Sequence, residues 1–197
     1  MITVYGRPNS SNVAKVMWTL GELGLEHQRI DVGGPFGQNR EPAYLAMNPN
    51  GLIPVLVDGD DVLWESNAIV RYLAARYGEG KLWSSNAGER ARSDRWMDWG
   101  SLTFFPKVLT LMRSAEGAER EAAIAEVIEP CAIIDAALGM HNFLAGDQLS
   151  IGDLVVGVHL GRLYKFAGKL EFPNLERYYQ HLLSRTAYFE NCQAQLL

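Results

Sequence analysis

Asn48-Pro49-Asn50-Gly51-Leu52-Ile53-Pro54-Val55-Leu56 is the stretch that decides how this chain is read. A proline cannot donate to a sheet ladder but is tolerated at the first residue of a strand, so Pro54 opens an extended run reaching Val57. An Ile-Pro bond adopts the cis form at far lower cost than other peptide bonds. In that form the Ile53 backbone faces outward, where its N–H and C=O can pair antiparallel with an extended peptide, the strand-addition mode of recognition. A purely structural turn is the competing reading of the same residues.

Downstream, residues 54–57 and 62–64 read as strands around Asp58-Gly59-Asp60-Asp61, a hairpin turn. Trp64-Glu65-Ser66-Asn67-Ala68-Ile69 then opens a helix predicted over residues 65–77, with Ile69, Val70, Tyr72 and Leu73 apolar. Upstream, Ile2–Tyr5 is a strand pattern and Gly6-Arg7-Pro8-Asn9-Ser10 a turn. From Ser11 the period becomes helical, through Val13, Val16, Met17, Leu20 and Leu23, with Gly24 as the stop. Residues 28–32 read as a second strand and 33–40 as a loop punctuated by Gly33, Gly34, Pro35 and Gly37. The order βαβ-ββα predicts a compact α/β domain over residues 1–78, a mixed sheet covered by helices.

Residues 79–85 read as a linker, and 86–197 as an all-helical domain. Long helical patterns cover 87–112 and 119–140, and shorter ones 150–166 and 174–184. Pro106, inside Thr103-Phe104-Phe105-Pro106, is expected to bend the first of these. Phe104 and Phe105 at that bend, with Pro8, are candidates to line an apolar pocket for a second substrate; core packing is the alternative for the two phenylalanines.

Composition closes off other classes. The 197 residues carry a formal net charge of -5, with 48% hydrophobic and 21% charged residues. That is ordinary globular usage without the basic stripe of a nucleic-acid binder. No apolar run approaches the roughly 20 residues that span a bilayer, and Met1-Ile2-Thr3-Val4-Tyr5 has no leader-like pattern. No nucleic-acid or membrane partner is expected. Cys131 and Cys192 are far apart and form neither a disulfide framework nor a metal set. The four histidines are scattered, so no metal is expected, and a reducing cytoplasm is the simplest location.

Two further segments carry candidate chemistry. Ser66 opens a helix, where unpaired N–H groups and positive potential attract anions. A carboxylate could accept from its N–H and hydroxyl while Glu65 receives an ammonium group; simple helix capping is the alternative. In Arg7-Pro8-Asn9-Ser10-Ser11-Asn12-Val13-Ala14-Lys15-Val16, hydroxyls and an amide gather at a helix start and could stabilise a thiolate; helix capping is again the alternative. A free thiol has a pKa of about 8.5, and lowering it by about two units takes roughly 2.7 kcal/mol. One hydroxyl bond to a charged group supplies about 1.5–3 kcal/mol and a helix N-terminus up to about 2, so the donor set suffices.

In this order and spacing, Ile53-Pro54 before a strand, then Glu65-Ser66 opening a helix, resemble the cytosolic glutathione transferases over essentially the whole chain. The resemblance implies a thioredoxin-like N-terminal domain, a helical C-terminal domain and glutathione as cosubstrate. It also implies a cis Pro54, Ile53 pairing with the cysteinyl part, and Glu65 with Ser66 on the γ-glutamyl end. Asn39 or Arg40 could contact the glycyl carboxylate. The Ser-rich helix start is similar to serine-type bacterial, theta and zeta members. Counting back from Lys15, zeta-like spacing selects Ser10 and theta-like spacing Ser11; Asn12 is a third candidate, and Ser10 is favoured. Leu52 stands where the family often has a polar side chain, which puts weight on backbone contacts. Ser150-Ile151-Gly152-Asp153 resembles the family's structural N-capping box. The implied activity is conjugation of glutathione to a small apolar electrophile by a homodimer. The alternatives are a glutathione-dependent isomerase, disfavoured because the zeta-type Ser-Ser-Cys is absent, and a non-catalytic binding protein. A disulfide reductase is disfavoured because no cysteine lies near Ser10.

Overall fold

The structure, a computed structural model, describes residues 1–196. Its first part is a four-stranded sheet in the order β2-β1-β3-β4. β1 (Ile2–Tyr5) lies parallel to β2 (His27–Ile30), because α1 (Ser11–Leu23) carries the chain back across the sheet. β3 (Val55–Asp58) runs antiparallel to β1 and to β4 (Asp61–Trp64). The β2 ladder ends at Ile30, short of the expected residue 32. Val32 instead packs with Tyr44 and Val55 in a small buried cluster. α2 (Pro42–Met47) was not anticipated: six residues are too few to show a helical period. α3 (Ser66–Tyr77) completes this half.

The helical half contains α4 (Ala87–Trp99), α5 (Phe105–Arg113), α6 (Ala118–Leu138), α7 (Ile151–Ala167) and α8 (Pro173–Leu183). The pattern over 87–112 is therefore two helices, joined by a π turn at Gly100–Phe104. Pro106 cannot donate to the turn before it, and the widened turn lets the Phe105 N–H donate to the Gly100 carbonyl instead. No helix among the described residues is long and apolar enough to cross a membrane.

At the start of α7, Asp153 is completely buried. Its Oδ2 accepts from the Ser150 N–H at 2.8 Å and the Ser150 hydroxyl at 2.6 Å. Its Oδ1 accepts from the Leu144 N–H at 3.0 Å and the Tyr178 hydroxyl at 2.8 Å. The short aspartate arm thus closes the cap and ties the preceding loop and α8 to α7.

Two cores meet along α1. One face, with Val13, Val16 and Leu20, packs under the sheet with Ile2, Val4, Leu56, Ile69 and Leu73. The other, with Ala14 and Trp18, joins the large core of the helical half, as do Val70 and Ala74 of α3. The Arg185 guanidinium seals this seam, donating to both carboxylate oxygens of Glu22 at 2.8 and 2.5 Å, while Trp18 Nε1 donates to the same carboxylate at 2.8 Å.

Candidate active site

The loop before β3 is braced carbonyl by carbonyl. Arg40 Nη1 donates to the Asn50 carbonyl at 3.1 Å and Asn39 Nδ2 to that of Gly51 at 2.8 Å. The Leu52 carbonyl accepts from the Tyr44 hydroxyl at 2.7 Å and Asn48 Nδ2 at 2.8 Å. Burial pushes the Tyr44 phenol up to about 12, so it stays a donor at neutral pH. Neither the Ile53 N–H nor its carbonyl has a hydrogen-bond partner among the described residues. The Ile53-Pro54 peptide is cis.

Gly51 has φ of 61°, and a Cβ there would stand 2.7 Å from Arg40 Nη1 and 2.8 Å from the Asn39 carbonyl oxygen. The loop closes this tightly only around glycine. No local pattern points to the bracing role of Tyr44 and Asn48, because α2, which carries Tyr44 and is capped by Asn48, is too short to show a helical period. Arg40, expected at a ligand carboxylate, spends a donor on the loop itself. Leu52 is exposed and offers no polar contact.

Past β4, Glu65 has φ of 70° and ψ of 110°, outside the comfortable range of a side-chain-bearing residue. Its carboxylate is exposed and unpaired among the described residues. Ser66 is the buried first residue of α3, and its hydroxyl has no partner among the described residues. Asn67, next in line, donates to the Met97 carbonyl at 3.3 Å and the Ser101 hydroxyl at 3.0 Å, fixing this turn to the π turn.

The third group sits at the start of α1. Ser10 is the N-cap, its hydroxyl oxygen accepting from the Val13 N–H at 3.4 Å. Its hydroxyl proton is left to donate elsewhere. Ser11 and Asn12 follow as half-buried residues of the first turn, and Pro8 is half-buried in the preceding loop. Lys15, one turn further, is 2% exposed. Burial lowers its ammonium to about 8, against the Glu65 carboxylate, which raises it, and with Arg162, which lowers it further. Lys15 thus links the Ser10 and Glu65 turns electrostatically, a proximity invisible in the sequence.

The expectation for Phe104 is corrected. It is fully buried and stacks on Trp99 at 5.8 Å between centroids, because the π turn rotates it into the helical core. Phe105 is half-buried and stacks on His159 at 4.4 Å. A depression of about 340 Å³ between the 79–85 segment and the start of α7, lined by Lys81, Arg90, Arg92 and Gln148 among others, shares no residue with these groups.

Comparison with known proteins bears on this arrangement. Residues 1–75 match the family model "Glutathione S-transferase, N-terminal domain" and residues 96–186 match "Glutathione S-transferase, C-terminal domain". The glutathione S-transferase GstB of Escherichia coli K12 is 41% identical over 198 residues, covering 95% of each chain. Glutathione S-transferase 3 of Zea mays is 34% identical, over 77% of this chain and 73% of its own. The glutathione-bound theta class glutathione S-transferase of Xanthomonas axonopodis pv. citri superposes with a TM-score of 0.90 at 42% identity, over 97% of this chain and 96% of its own. With two braced turns, one helix start and this agreement along nearly its whole length, the chain belongs to the glutathione S-transferase family.

Proposed function

We propose that this protein binds glutathione and transfers it, as the thiolate, to a small apolar electrophile. The observation that carries this reading is the loop before β3: the carbonyls of Asn50, Gly51 and Leu52 each accept from a side chain, whereas both polar groups of the Ile53 backbone have no described partner. A rigid edge with one open donor–acceptor pair suits antiparallel pairing with the cysteinyl unit of a peptide. Glu65 receives the γ-glutamyl ammonium, and the Ser66 N–H and hydroxyl receive its carboxylate at the head of α3. Arg40, exposed beside the same loop, has donors left for the glycyl carboxylate.

The sulfur lies at the start of α1. The Ser10 hydroxyl donates to it, with Ser11 and Asn12 in the same first turn. The electrophile approaches between Pro8 and Phe105. The working form is a homodimer in the cytoplasm, built on the α3 and α4 faces, where Arg71 clamps Asp94 at 2.7 Å and Asp98 at 2.8 Å. A solution mass equal to one chain would remove the dimer.

Thiolate absorbance of bound glutathione tests the catalytic reading. A thiolate at neutral pH is expected, with Ser10→Ala lowering turnover about a hundredfold while changing glutathione affinity little. Absence of thiolate in the unaltered protein would sink the transferase reading. A turnover loss in Ser11→Ala instead would move the sulfur contact one residue along.

A further inference from the structure

Arg162, on α7, is 1% exposed. Its Nη1 donates to the Val158 carbonyl, one turn back on its own helix, at 3.0 Å. Its Nη2 leaves the helical half and donates to the Asn9 carbonyl at 3.2 Å. No carboxylate among the described residues forms an ion pair with it. A guanidinium withdrawn from water with no counter-charge is costly, so the position needs a reason beyond packing.

The groups facing it supply no negative charge. Arg7 lies in the Ser10 turn and Lys15 on α1, both cations. Tyr188 and Cys192 approach from the C-terminal segment, and burial holds both in their neutral forms. His159, one turn before Arg162 on α7, is fully buried with neither ring nitrogen hydrogen-bonded. Burial, with Lys15 and Arg162 nearby, keeps it neutral. Glu65 acts on Lys15 from across the site but is exposed to water. Lys15 and Arg162 are buried and Arg7 half-buried, and together they form a positive cluster behind the start of α1.

Asn9 is where that cluster touches the site. Its carbonyl belongs to the peptide unit whose N–H is that of Ser10. Arg162 holds this carbonyl, and Arg7 Nη1 holds the Asn9 side-chain oxygen at 2.5 Å. We propose that Arg162 is a positioning residue of the transferase reaction: from the helical half it fixes the Asn9–Ser10 peptide of the sulfur-facing turn, and its unanswered charge is balanced by the glutathione thiolate. This rests on the preceding assignment of that turn to the sulfur. It makes thiol ionisation depend on a residue of the helical half.

The test titrates the thiolate absorbance of bound glutathione in the full-length protein and its Arg162→Gln and Arg162→Lys variants, alongside glutathione affinity. In Arg162→Gln the midpoint is expected to rise by about one pH unit, so that kcat/KM falls about tenfold at acidic pH and recovers at alkaline pH. Glutathione affinity should stay close to the original value. Arg162→Lys, which keeps the charge but not the two-pronged grip, should fall between the two. A folded Arg162→Gln protein with the original midpoint would overturn the proposal. So would a loss equal at every pH and accompanied by weakened glutathione binding, the mark of a merely structural residue. If Arg162→Gln does not fold, a raised midpoint in Arg162→Lys supports the proposal and an unchanged one overturns it. No thiolate in the unaltered protein defeats the transferase reading and this one with it; a thiolate insensitive to both variants defeats only this one.

Discussion

Lys15 shows how a single side chain can weaken a fold that it serves. Its folded pKa of about 8 lies below the ordinary 10.5 because burial disfavours the ammonium. Between those values the unfolded chain holds the proton and the folded chain releases it, so stability rises with pH across pH 8–10.5. Below pH 8 the full burial penalty applies. Lys15→Met, which also gives up the bond from Nζ to Asn67 Oδ1 at 3.4 Å, is expected to be more stable than the parent at pH 7 by less than roughly 3 kcal/mol, and to lack the alkaline rise. Urea unfolding at a series of pH values measures both; a parent stability that falls between pH 8 and 10.5 would contradict the assignment. At this scale the sequence disclosed geometry that is written locally: the cis bond before Pro54, and Glu65 with Ser66 at a helix start. It concealed contacts made with a distant partner. Nothing local to Arg162 points to Asn9, and nothing local to Tyr44 points to Leu52.

Among elements, the loop of residues 48–54 is the most tightly determined. Gly51→Ala puts a Cβ against the Asn39 carbonyl and the Arg40 guanidinium at a positive φ. A loss of about 1–2 kcal/mol in stability is expected, with weakened glutathione binding because the Ile53 edge moves. Calorimetric titration checks the binding, and affinity equal to the parent's would show that the loop yields freely. The head of α7 is the second such element. Asp153→Asn replaces an oxygen that accepts two hydrogen bonds with a donor, or one facing Leu144 and Tyr178 if the amide flips. A loss of about 2–4 kcal/mol is expected by urea unfolding. The strands and the long helices were legible through their periods. The six-residue α2 had no period to show, and the π turn is written in no local pattern, since it is the geometric response of a long helix to Pro106. That response also took Phe104 from the expected pocket into the core.

Over the whole molecule, the two halves share α1. Trp18 and Ala14 belong to the helical core, and the Arg185–Glu22 pair closes the seam above them. Burial alone would raise the Glu22 carboxyl, but the bonds from Arg185 and Trp18 outweigh it and hold the group below its usual 4.5. A lowered folded value means stability that is present above 4.5 and lost as pH falls through the folded value. Glu22→Gln should cost about 1–3 kcal/mol at pH 7, with the difference from the parent shrinking under acid. Parallel unfolding curves at pH 7 and pH 3 read this directly, and a constant difference would rule out the pair as its source. The succession of an α/β part and a helical part was readable in the sequence from the change in pattern. Their manner of contact was not, because the Glu22–Arg185 and Asn9–Arg162 contacts join residues far apart in the chain.

Glu65, held at φ of 70°, bears on how this sequence can drift. A glycine adopts that backbone at less cost. A library at position 65 sorted only for thermal resistance should therefore fill with glycine, while one sorted on immobilised glutathione should return glutamate. The two pools would separate what the chain needs in order to persist from what it needs in order to work.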